Sequence, residues 1–69
     1  MTTELERLAS AHRAAIEERV SAAAGLDQTR WLAGAYHGPY IAAIAQAEVR
    51  LEAAIEAEAK AAAELEAAR

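Results

Sequence analysis

Four glutamates, Glu48, Glu52, Glu56 and Glu58, crowd one short stretch, and carboxylates at helical spacing are the starting material of a di-metal site in a helix bundle. Such a site also needs a histidine three residues after a glutamate, and neither His12 nor His37 has a glutamate at that offset. Nor are the two histidines spaced as a local ligand pair. The acids therefore read as a solvated face. With no cysteine in the chain there is no thiol nucleophile, no thiolate metal site and no disulfide. Ser10 and Ser21 stand in a helical stretch with no His–Asp arrangement behind them. The run Ala33–Pro39 holds two glycines but no lysine, and does not match a phosphate-binding loop. Paired carboxylates for glycoside hydrolysis would need a cleft that 69 residues can hardly build. The expectation is a protein with no catalytic, metal-binding or cofactor-binding residues, and not an enzyme.

What remains is the chemistry of contact. Trp31, Tyr36 and Tyr40 are the only aromatics and lie within ten residues of one another. They either plug the end of a helical bundle or form an exposed patch, since Trp and Tyr are favoured anchors at interfaces. Ile44, Leu51 and Ile55 follow at helical spacing. These six, Trp31, Tyr36, Tyr40, Ile44, Leu51 and Ile55, are the candidate protein-interaction residues.

The elements that would position them are two arms and a corner. Thr3-Glu4-Leu5-Glu6 has the form of a capping box. Leu5, Leu8, His12, Ile16, Val20 and Ala23 then recur as one stripe, predicting a helix over 3–24. Gly25 suits the position just past a helix end. The corner, 25–38, is expected to carry a short helix over 28–36 capped by Asp27. His37 should face solvent, and Pro39 should open a long helix over 39–68. In that helix Ile41, Ile44, Glu48, Leu51, Ile55, Glu58, Ala62 and Leu65 alternate in steps of three and four, a heptad-like seam with two charged interruptions. Glu56–Lys60 is an ion pair in the favourable order. A smaller face of Ala42, Ala53 and Ala57, with Val49 and Gln46, is explained by helix propensity or by a close-packed neighbour.

The fold class is thus all-α: a single domain, 1–69, folded as an antiparallel helical hairpin with a short corner helix and a long C-terminal helix. Pairing residues whose numbers sum to about 70 sets Leu5 against Leu65, Leu8 against Ala62 and Ala15 against Ile55. It also sets His12 against Glu58 as a buried polar pair and brings Arg19 within a turn of Glu48. A buried charge is tolerable only when paired, which motivates both contacts.

Composition bounds the function. Of the 55% of residues that are apolar, 22 in number are alanine, which bury little area. So small a core predicts completion by self-association or by a partner protein. The net charge of −4 weighs against direct nucleic-acid binding and against docking on an anionic membrane. No apolar run approaches a membrane span. The acidic, polar start is unlike a targeting signal, so a cytoplasmic protein is expected. Abundant alanine, with six arginines to one lysine, hints at a GC-rich genome, a bacterium or its phage; a phage-encoded chain could sit in the virion. The expected role is a non-enzymatic structural or adaptor subunit that docks on other chains, such as an accessory part of a phage virion. The alternative is a small acidic inhibitor of a host protein, an anti-defence factor or nucleic-acid mimic. A third possibility is a four-helix dimer acting as a regulatory module.

Overall fold

Thr3 caps the first helix. Its hydroxyl accepts a hydrogen bond from the Glu6 amide at 3.1 Å, and its carbonyl accepts one from the Arg7 amide at 2.9 Å. The computed structural model describes residues 3–36 and 38–69; His37, expected to face solvent, lies outside the described residues. Helix α1 spans Glu4–Tyr36 and helix α2 spans Ile41–Ala68. The two lie antiparallel in a body of 51 × 17 × 13 Å. At 1.5 Å per residue α1 is about 50 Å long, so it runs the full length of the molecule. The all-α helical hairpin is the observed fold.

Arg7 clasps Glu4 through two hydrogen bonds, of 2.5 and 3.0 Å. These bonds hold the Glu4 carboxyl below the ordinary carboxylate range, against a small opposing effect of desolvation, and raise Arg7. A lowered folded-state pKa stabilises above the unfolded-state value, and that contribution fades as pH falls through the folded value. Both groups are solvent-exposed, so the effect is small and screened by salt. A carboxyl-carbon NMR titration should find Glu4 titrating below the ordinary glutamate range, and Arg7→Ala should return it towards that range.

Gly25 and Asp27 do not end the first arm. The segment expected as a separate corner helix forms the last turns of α1, which is continuous through Tyr36. Leu26, only 6% exposed, falls on the face that meets α2. Burying it is worth roughly 1.5–3 kcal/mol, more than the roughly 0.5–1 kcal/mol that a helical glycine costs. The Thr29 hydroxyl donates to the Gly25 carbonyl at 2.8 Å, tying the next turn to this one. None of the three glycines holds a left-handed backbone, and a Cβ on Gly25 would meet Arg50 at an ordinary 3.7 Å. Gly25→Ala should therefore stabilise the hairpin by about 0.5–1 kcal/mol in urea unfolding, where a helix-ending glycine would give the opposite sign.

The chain turns at Gly38–Tyr40. The Tyr40 amide donates to the Gly38 carbonyl at 2.8 Å, and the Tyr40 carbonyl accepts from the Ile44 amide at 2.8 Å. Tyr40 is the residue before α2, so Pro39 lies in the turn and is not the first helical residue. The tyrosine ring folds back over Gly38, where a Cβ would stand 2.6 Å from the ring edge. That close approach is why glycine is needed at this position.

The contact between the helices is a regular heptad seam. On α1 the buried or half-buried residues include Leu8, His12, Ala15, Arg19, Ala22, Leu26, Thr29 and Ala33. From Tyr40 onward through α2 they include Tyr40, Ile44, Ala47, Leu51, Ala54, Glu58, Ala61 and Leu65. Both runs step by four and three, the spacing that keeps one stripe on a supercoiled partner. Cross-helix contacts bracket the register. Arg19–Glu58 and Arg30–Glu48 make 77 and 78, whereas Glu18–Arg50 and Ser21–Arg50 make 68 and 71, so facing numbers centre on about 73 to 74. The expected sum of about 70 is about one turn short, because it treated the corner as a separate element.

Candidate interaction face

The expected stripes are off by one residue in several places. Ala15 is in the seam and Ile16 beside it; the same holds for Arg19 and Val20, Ala47 and Glu48, and Ala54 and Ile55. One residue along a helix is a rotation of about 100°. Ile16, Val20 and Ile55 therefore point a quarter-turn away from the partner helix. Val20 is 54% exposed and Ile55 49%, although both were expected at the contact between the arms. Leu5, expected against Leu65, is 46% exposed at the chain start. Seam positions that large side chains could fill are held instead by Ala22 and Ala54, at 1% and 4% exposure.

Two ion pairs show which residues share a flank. Arg30 and Glu48 each follow a seam residue, and they join at 3.4 Å. Glu18 and Arg50 each precede one, and they join at 2.6 Å. Residues that follow the seam thus lie on one side of the hairpin and residues that precede it lie on the other. The first side carries Ile16, Val20 and Ala23 from α1, with Ile55, Ala59 and Ala62 from α2 at the same level. The second side is small or polar over that span: Ala14, Glu18 and Ser21 face Ala53, Ala57 and Lys60. The hairpin has one apolar flank and one polar flank.

Of the six candidate interaction residues, Ile44 and Leu51 are half-buried in the internal seam. Tyr40 is half-buried over the turn. Trp31 and Tyr36 are 65% and 64% exposed, packed edge to face with ring centroids 6.3 Å apart. They lie near the turn with Ile41, itself 86% exposed, whereas Ile55 belongs to the apolar flank, about four turns along α2 from Ile41. The six do not form one patch. Ile16 and Val20 belong to the flank and were missed as surface residues. The signal was the unbroken four–three series through Ala15, Arg19 and Ala22, hidden because those residues are small or charged.

Glu58 is bonded by Arg19, not His12, and Glu48 by Arg30, not Arg19. Both changes follow from the difference in register. His12 is half-buried opposite the Leu65 end of α2. Lys60 reaches Glu64 at 4.0 Å instead of Glu56. The Arg19–Glu58 pair is the one ion pair in the seam itself, with side chains 39% and 23% exposed. Partly buried, it lies between surface pairs, worth up to about 1 kcal/mol, and buried pairs, whose disruption costs about 3–5 kcal/mol. Glu58→Ala should destabilise by about 1–2 kcal/mol in urea unfolding, because Arg19 is left unpaired against the seam. Replacing both residues by leucine should be neutral or stabilising by the same measurement.

Among the described residues there is no cavity able to enclose a small molecule and no cluster of three metal-binding side chains. No helix there is long and apolar enough to cross a membrane. No protein-family model, curated protein or solved structure matches the chain.

Proposed function

We propose that the chain is a non-enzymatic helical subunit that docks on another protein chain through its apolar flank. The observation that carries this reading is the placement of Ile16, Val20 and Ile55. Val20 and Ile55 stand half-exposed and Ile16 half-buried along one side of the hairpin, while alanines share the internal contact with leucines. A compact protein of 7.3 kDa would expose about 4,200 Å². This chain exposes 5125 Å², an excess of about 900 Å², comparable to the roughly 800 Å² that each partner contributes to a standard interface. A second layer of helices on the apolar flank would supply the burial that two helices lack. A role as an accessory part of a larger assembly fits that need.

An acidic mimic of nucleic acid draws less support. Glu18, Glu48 and Glu58 are each tied to an arginine of the other helix, which breaks up the negative surface.

Thermal unfolding followed by circular dichroism over a hundredfold range of concentration tests the reading. A subunit completed by a partner should melt low when dilute, with a midpoint that rises with concentration if the partner is its own copy, or on addition of the partner if it is not. A high, concentration-independent midpoint in a chain that sediments as a monomer would refute it.

A further inference from the structure

We infer that the partner is a second copy of this chain, laid flank to flank with Val20 on the two-fold axis and the two α1 helices antiparallel. The inference rests on the docking role proposed above and names its occupant. Each chain has seven lysines and arginines. Six of them are ion-paired within the chain, leaving Arg13 as the one without a carboxylate partner among the described residues. Arg13 and Asp27 each follow a seam residue, as Val20 does, so all three lie on the apolar flank. Both are exposed, and Asp27 takes part in no ion pair among the described residues.

The spacing is symmetric. Arg13 and Asp27 stand seven residues on either side of Val20, two turns and about 10 Å each way. An antiparallel copy of α1 centred on Val20 sets Arg13 of each chain against Asp27 of the other, twice. No other two-fold arrangement of the flank pairs them. A dyad parallel to the helices would lay α1 on the partner's α2 and leave Asp27 of each chain away from Arg13 of the other.

The product is a four-helix dimer with its turns at opposite ends.

The chain has no cysteine, so Val20→Cys introduces a single thiol on the axis. The test is sedimentation of the full chain, of Arg13→Asp, of Asp27→Arg and of the double variant, together with mild oxidation of Val20→Cys. Val49→Cys is the comparably exposed control on the outer face of α2. The wild-type chain should be dimeric, and each single reversal should weaken the dimer about tenfold or more, since it turns two attractions into two repulsions. The double reversal should restore it, and Val20→Cys should cross-link far faster than Val49→Cys. Circular dichroism of each variant separates lost association from lost helix. A dimer with neither charge rescue nor selective cross-linking at Val20 would overturn the arrangement. A wild-type monomer at several hundred micromolar would overturn self-association. If that monomer is loosely folded the docking role survives with a foreign partner, and if it is stably folded the docking role falls too.

Discussion

Leu26→Ala should leave much of the chain unfolded at room temperature. Among the described residues Leu26 is one of three large side chains in the core, with Leu8 and Leu65, and of these it lies nearest the middle of the molecule. Truncating a buried leucine costs about 2–5 kcal/mol, from lost transfer energy and from the cavity left behind. A narrow two-helix body can collapse partly around the gap, which favours the lower half of that range. Even so, small domains hold only about 5–15 kcal/mol in total, and this one buries less than most. Urea unfolding should show a large fall in midpoint with little change in slope. Val49→Ala, at a side chain 64% exposed on the outer face of α2, should shift the midpoint by less than about 0.5 kcal/mol. Equal effects at the two positions would mean that the seam is assigned to the wrong face.

The second large effect runs the other way in volume. Ala22 is 1% exposed and Ala54 is 4% exposed, and the register sets them against each other. Two alanines at a crossing let the helix axes come close, as small residues do at tight helical contacts. Ala22→Leu should force the helices apart or drive the leucine off its preferred rotamer, at about 1–3 kcal/mol. Ala53→Leu inserts the same bulk one residue away, on an exposed position, and should be near neutral. The pair of measurements separates helix propensity, which treats the two alanines alike, from close packing, which does not. A neutral Ala22→Leu would show that alanine at this site serves propensity alone.

These contrasts explain what the sequence revealed and what it hid. Helical content, the hairpin and the site of the turn were legible, because Thr3 marks a start, Gly38-Pro39 marks a break, and the residues between are strong helix formers. The continuity of α1 was not. Gly25 and Asp27 carry local signals for a helix end, and burial of Leu26 outweighs both. The seam was misplaced for a subtler reason. Hydrophobic periodicity gives most weight to the bulkiest side chains, which made Ile16, Val20 and Ile55 look like the internal face. In an alanine-rich hairpin the tightest contact belongs to the smallest residues, and bulk is displaced to the flank. The difference in register, in turn, replaces the His12–Glu58 pair with Arg19–Glu58. The interaction candidates redistribute in the same way: Ile44 and Leu51 turn inward, Trp31 and Tyr36 stand clear at the turn, and Ile55 joins two residues that periodicity had assigned to the interior.

The account rests on the apolar flank being covered when the protein is whole. Methyl NMR with a soluble paramagnetic relaxation agent reads that directly, residue by residue. In a dilute sample the methyls of Val20 and Ile55 should be broadened nearly as strongly as those of Val49, and those of the half-buried Ile16 less. In a concentrated sample the three should become protected while Val49 stays exposed. If all four keep the same accessibility at every concentration in a chain that is fully helical throughout, the flank is an ordinary solvated surface and the account is contradicted.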